Sequence, residues 1–206
     1  MGGWGRFCVT QKVVDAYLMD DGRTKEEATA DGYYSETGFT SEPRNFSGYP
    51  LNAGIYKMYA NREMRFYASV WQALSSSTLN NHTAKYYYQD EDGRGGVTAT
   101  SPNYPITGYV IKKYNNPMDA WTGTGARHIQ KAYPIIRYAE ILLIYAEAKC
   151  ELSECTQAVL DETINKLRDR VNMKHLTVSP VADLDPVDYG YSITPLLYEI
   201  RRERRI

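Results

Sequence analysis

Asp90, Glu91 and Asp92 are the first residues in this sequence whose chemistry could go beyond packing. Two carboxyl groups cleave a glycosidic bond when they stand roughly 5 to 10 Å apart across the scissile oxygen. Consecutive residues in an acidic, glycine-containing run define no such separation, and the run reads as a solvated turn. Nor does it spell an EF-hand, because counting from Asp90 puts Arg94 at position 5 and Ser101 at position 12, where a bidentate acid is required. Calcium ligation of another form stays open. His82, His128 and His175 are far apart in sequence, and no Gly-x-Ser-x-Gly elbow accompanies them. Cys8, Cys150 and Cys155 form an odd set without a Cys-x-x-Cys pair, so neither a zinc site nor a disulfide framework is read. No catalytic residue, metal ligand or cofactor is predicted.

The basic run Arg201-Arg202-Glu203-Arg204-Arg205 has the look of a nucleic-acid patch. Glu199 and Glu203 interrupt it, and the chain carries a net charge of only −1, which gives no electrostatic attraction to nucleic acid or to an acidic membrane. The run is therefore expected to be a structural charged face, paired with acids on another helix. Those acids are legible. Between Tyr133 and Leu152, Arg137, Glu140, Glu147 and Glu151 fall on one stripe of a helix, interrupted only by Ile144. The rest of that cylinder is apolar or small, so the helix is expected to be covered on two sides. Ala139 and Ala146 stand beside Ile135 and Leu142 and admit a close neighbour. Pro134 suits the first turn, and Arg137 with Glu140 reads as local helix support.

The other elements follow in order. Thr10 caps a short amphipathic helix that Gly22 stops at about Asp21. Residues 23–59 show no sustained period, yet hold many aromatics, which predicts long ordered loop. A strand is expected from about Arg65 to Trp71 and a second from Gly108 to Tyr114, with loops over 75–105 and from Trp121 onward. Thr156 opens a helix with Leu160, Ile164, Leu167 and Val171 on one face, forming an antiparallel hairpin with the central one. Thr194-Pro195 starts the last helix, and the chain ends inside it, which predicts a piece of something longer. No apolar run reaches the roughly 18 residues needed to span a bilayer. If the protein is exported, its signal lies outside this chain.

Three ordered motifs carry a resemblance: Tyr-Pro-Ile-Ile-Arg-Tyr-Ala-Glu-Ile-Leu-Leu-Ile-Tyr-Ala-Glu-Ala at 133–148, Ile-Asn-Lys-Leu-Arg-Asp-Arg at 164–170 and Glu-Ile-Arg-Arg-Glu-Arg-Arg-Ile at 199–206. In this order and spacing they resemble the SusD/RagB family of outer-membrane nutrient-binding lipoproteins of Bacteroidetes. Thr10 to Tyr17, Asn61-Arg-Glu-Met-Arg-Phe66 and Thr107 to Tyr114 are similar to further family segments, so the likeness covers nearly the whole chain. Glu63-Met64 stands where the family has Asp-Pro, and the turn before Phe66 is where a difference is expected. The resemblance implies a mainly α fold, with tetratricopeptide-like helix pairs, long loops and a few short strands. One domain would comprise a scaffold helix (1–22), a loop-rich ligand-binding region (23–131) and a helical scaffold (132–206). It implies a non-catalytic surface protein that delivers glycan or another nutrient to a TonB-dependent, SusC-like transporter. Membrane contact would be only through a lipid anchor outside this chain.

A sugar-binding surface fits the residues as well, because pyranose C–H faces stack on aromatic rings while hydroxyls pair with planar polar groups. Tyrosine is the compositional outlier, 19 residues against 4 Phe and 3 Trp. The candidate platforms are Trp71 and Trp121, then Tyr86, Tyr87 and Tyr88, with Asn80, Asn81, Asp92 and Arg94 as hydrogen-bonding candidates. Each also fits a packing role, Trp71 at a strand end above all. The alternative function is a tetratricopeptide-like protein-interaction scaffold, which would use a groove of its helices rather than aromatic loops.

Overall fold

The computed structural model describes residues 8–46, 48–73, 105–113 and 134–206. Helices supply most of the regular structure within them, joined by long connections and short strand pairs, which is the mainly α architecture expected.

Helix α1 (Gln11–Ala16) is shorter than its sequence pattern. The cause is Arg62, fully buried, whose guanidinium donates to the carbonyls of Val14 and Tyr17, both at 3.2 Å. These carbonyls end the helix on a side chain, and Tyr17 turns extended at ψ 134°. Met19 then bridges to Arg62, and Gly22, at φ +87°, closes the turn. Within the expected loop lies α2 (Lys25–Thr29), started by a reciprocal cap: the Thr24 hydroxyl accepts from the Glu27 amide while the Glu27 carboxylate accepts from the Thr24 amide. A small antiparallel hairpin of β1 (Arg44–Phe46) and β2 (Tyr49–Leu51) follows, turned by Gly48 at φ +85°. The aromatics of this stretch order it: Tyr34 and Tyr59 are buried, and Phe39 stacks on Tyr56 at 4.5 Å.

The strand expected from Arg65 is instead a helix, α3 (Met64–Ser69), and only β3 (Val70–Trp71) is extended. Local β propensity is overridden by two tertiary demands. Phe66 and Tyr67 are both buried though adjacent, and the Tyr67 hydroxyl donates to the Tyr59 carbonyl at 2.6 Å while accepting from the Arg62 amide at 3.1 Å. Glu63 occupies the cap position and Met64 the first helical position. A proline is at home there, so Glu-Met in place of Asp-Pro preserves a helix start. The second strand is β4 (Val110–Ile111), antiparallel to β3 with Val70 opposite Ile111 and Trp71 opposite Val110. These elements enclose a core of Val14, Tyr17, Leu51, Ile55, Tyr59, Phe66, Val70 and Tyr109.

The second core belongs to the helical part: Leu143, Ala146, Leu160, Ile164, Leu176 and Ile200. Helix α4 (Tyr138–Glu151) begins later than its apolar run, with Arg137 as an extended cap residue. Pro134 therefore precedes the helix and is no first-turn residue. Thr156 caps α5 (Gln157–Glu162), as expected, but the pattern does not continue as one helix. Thr163, at φ −124° and ψ −90°, breaks it before α6 (Ile164–Asp169). Its hydroxyl donates to the Val159 carbonyl at 2.5 Å, a local bond that competes with the backbone ladder. Helix α7 (Pro195–Arg205) starts on Thr194, whose hydroxyl accepts from the Leu197 amide at 3.2 Å.

Helix α4 is covered on one side only among the described residues. Leu143 and Ala146 are buried against the α5–α7 side, and Ala146 provides the close approach expected of it. Tyr138, Ile141 and Tyr145, with Leu152 just past the helix end, are exposed along the opposite seam. Of the two sides expected to be covered, one is thus open among the described residues.

Candidate functional site

The part of the sequence that carries most of the candidates, 74–104, lies between β3 and β4. Its two ends are fixed together. Besides the strand pairing, the Lys112 and Lys113 amides donate to the Ser69 carbonyl at 2.7 and 3.2 Å, and Lys112 Nζ donates to the Tyr67 carbonyl at 3.0 Å. The returning strand is tied to the N-terminal segment as well: Cys8 bridges Val110, the Thr107 hydroxyl donates to the Val9 carbonyl at 2.7 Å, and the Tyr109 hydroxyl donates to Gln11 Oε1 at 2.8 Å. Such ties fix the positions at which the chain leaves β3 and enters β4.

Of the sequence candidates, Trp71 is the one within the described residues. It is 4% exposed, a buried residue of β3 with its indole N–H lacking a hydrogen-bond partner. At this position the ring is packing and presents no open face for stacking. Asn80, Asn81, Tyr86, Tyr87, Tyr88, Asp92, Arg94 and Trp121 lie outside the described residues.

A concavity that the sequence reading passed over lies between the end of the 177–194 connection and α7. It has a volume of about 410 Å³, with walls from Asp183, Pro186, Asp188, Tyr189, Tyr191 and Tyr198. The three tyrosines form a chain of rings. Tyr198 is buried and lies edge to face with Tyr189 at 6.2 Å, and Tyr189 is tilted against Tyr191 at 6.4 Å. Tyr191 is 59% exposed.

What holds these rings is the charged face of α7. The Arg201 guanidinium lies 5.3 Å from the Tyr189 centroid and 5.7 Å from that of Tyr191, and its Nη1 donates to the Tyr191 hydroxyl at 2.6 Å. Arg201 is itself held by α4, to Glu147 at 2.9 Å and Glu151 at 2.7 Å. Arg204 bonds Glu147 too, and Glu140 at 3.1 Å. The basic run thus meets the acidic stripe, as the spacing of both predicted; Glu140 turns to Arg204 and not to Arg137. Despite partial burial, which works the other way, Arg204 and Arg201 hold the Glu147 carboxyl below its usual range.

Behind this surface runs a buried chain of ions. Glu63 and Glu203 take Arg65 from two sides, each at 2.5 Å; Glu203 also takes Arg168 at 2.7 Å, and Arg202 lies between Glu199 at 3.2 Å and Asp183. It ties α3, α6, α7 and the cleft wall together. Burial raises the Glu63 and Glu199 carboxyls. Glu203 is buried as deeply, but Arg65 and Arg168 outweigh the desolvation and lower it. Each of these carboxylates is held by a guanidinium, so the chain reads as a brace and not as acid–base machinery. Among the described residues no cluster of His, Cys, Asp and Glu is placed to hold a metal ion.

The cleft's residues share one sequence signal that could have found them. Tyr189, Gly190 and Tyr191 alternate aromatic and turn residues directly before a helix cap, between the two prolines Pro186 and Pro195. Such a stretch is loop by composition, and its aromatics have no periodic face to enter.

A family model described as the SusD family matches residues 1–206 of the chain. Among solved structures, a SusD-like carbohydrate binding protein from Bacteroides fragilis NCTC 9343 is similar with a TM-score of 0.61 at 23% identity, over 95% of this chain and 32% of that one. A second SusD-like protein from the same strain gives 0.62 at 25% identity, over 98% and 34%. The chain thus spans about a third of the length of these structures. No curated protein matches it.

Proposed function

The chain belongs to the SusD family, and from that premise we propose that it is part of a non-catalytic surface protein that binds a glycan or a similar nutrient. The observation that carries the reading is family membership over the whole chain, joined to the pairing of β3 with β4 on either side of the residues that hold most of the candidates. Trp121, Tyr86, Tyr87 and Tyr88 supply the stacking faces, and Asn80, Asn81, Asp92 and Arg94 the hydrogen bonds. Trp71, buried in β3, serves as packing. The bound nutrient passes to a SusC-like TonB-dependent transporter in the outer membrane, with a lipid anchor as the membrane contact. Among the described residues no helix is long and apolar enough to cross a membrane.

The test is calorimetric titration of the full-length protein with a panel of soluble polysaccharides, repeated with Trp121→Ala and Tyr87→Ala. Binding to a glycan that weakens about tenfold in either variant, at unchanged thermal stability, is the expected result. Silence across the panel from a folded protein overturns the glycan reading. The interaction-scaffold reading then gains, and the open seam on α4 is the observation in its favour.

A further inference from the structure

We propose that the cleft beside α7 is a second sugar-contacting site, distinct in sequence from the loop candidates, with Tyr191 as its platform. The proposal rests on the glycan reading for its ligand class and on the cleft's own geometry for its place.

An aromatic ring 59% exposed contributes little as core, and a tyrosine on a connection is ordinarily free to turn. Tyr191 is not. Its hydroxyl is fixed by Arg201, whose guanidinium carbon lies 5.7 Å from the ring centroid, and Arg201 is anchored in turn by two carboxylates of α4. A ring held at its hydroxyl end and 59% exposed offers a face to a ligand. Holding it costs the ligand no ordering of the side chain, which is the general route to affinity from a preformed site.

The polar groups around the ring suit hydroxyls. Asp188 is oriented by accepting from the Gly190 amide at 2.7 Å through Oδ1, which leaves its Oδ2 for a ligand hydroxyl. Ser192 brings a hydroxyl to the same wall, and Pro186 supplies apolar surface. Asp183 is committed to Arg202 and to the Asp185 amide, and the Tyr198 hydroxyl to the Val187 amide at 3.1 Å, so these two are wall and not ligand contacts. One apolar face flanked by a fixed carboxylate oxygen and a hydroxyl matches a pyranose, with its C–H face on one side and hydroxyls around its edge. A volume of about 410 Å³ admits such a ring with its neighbour in a chain.

The experiment uses the full-length protein and whichever polysaccharide of the panel it binds, with Tyr191→Ala, Tyr191→Phe and Asp188→Asn. Tyr191→Ala is expected to weaken binding by about three- to tenfold, with an unchanged thermal midpoint, while Tyr191→Phe keeps most of the affinity because the ring remains. As a second readout, saturating glycan is expected to slow nitration of Tyr191 by tetranitromethane, followed by peptide mass spectrometry. A folded Tyr191→Ala protein with wild-type affinity, or a Tyr191 nitrated equally fast with and without glycan, overturns this site. If the loop variants alone lose binding, the family reading stands and this proposal falls. If the wild-type protein binds no glycan, both fall together.

Discussion

Glu203 is the residue on which most of the described structure converges. It lies on α7, yet its two oxygens meet Arg65 of α3 and Arg168 of α6, so one carboxylate closes the contact between both cores. Removing it leaves two guanidiniums buried without their acid, a class of change that costs about 3 to 5 kcal/mol. Glu203→Gln is therefore expected to shift the urea midpoint markedly, whereas Glu203→Gln combined with Arg168→Met costs less than the sum of the two single changes. The pH dependence has a definite sign. Arg65 and Arg168 depress the folded-state pKa of Glu203 from 4.5 against its burial, so its stabilisation is present above that value and is lost as pH falls through the depressed folded value. Glu63 and Glu199 have the opposite sign. Burial raises both, and the folded state gains stability as pH falls through their raised values toward the unfolded one. Urea midpoints from pH 7 to 3 are expected to fall below about pH 4.5 in the wild type, and to fall less in Glu203→Gln. A steeper fall in the variant would contradict the assignment.

At the scale of elements, the contact between α4 and α7 joins two patterns that are each readable alone. An acidic stripe at i, i+7 and i+11 and an arginine run on another helix leave few other ways to pair, and the pairing occurs at Glu140, Glu147 and Glu151. The pairs are partly exposed, so each contributes modestly. A double-mutant cycle on Arg201 and Glu147 is expected to give a coupling of about 0.5 to 1 kcal/mol at low salt, diminishing by 1 M sodium chloride. A coupling that ignores salt would mean packing and not charge. Elements were less legible where a single tertiary contact decides them. No periodicity announces that Arg62 will end α1, or that the Tyr67 hydroxyl will draw Arg65 to Ser69 into a helix despite its β-forming composition. The start of α2 was missed inside the expected loop, although Thr24 and Glu27 stand at capping-box spacing, and Thr24→Ala is expected to cost about 1 kcal/mol in thermal or urea unfolding.

For the molecule as a whole, the sequence carried the helical scaffold far better than the candidate site, and the reason is physical. Scaffold helices repeat one environment every three or four residues, so pattern and motif agree over α4 and α7, and fail where Thr163 divides α5 from α6. A binding surface made of loops repeats nothing. Trp71 turned out to be packing, while Tyr191, marked only by an aromatic turn ahead of a helix cap and by no periodicity, is exposed and held by Arg201. The same scale exposes the seam on α4. Tyr138, Ile141 and Tyr145 follow one another at i, i+3 and i+7, with Leu152 in line, and none is covered by a described element. That spacing is the interface of one helix with another, and an apolar surface of this kind is rarely left to water. Expressed as these 206 residues, the chain is expected to self-associate in the micromolar range, as read by sedimentation velocity over a concentration series. Ile141→Lys with Tyr145→Lys should shift it toward monomer without unfolding it, because both side chains point away from the core that Leu143 and Ala146 share with α7. A wild-type chain that stays monomeric at every concentration would show that the seam is already satisfied, and residues outside the described segments would be its cover.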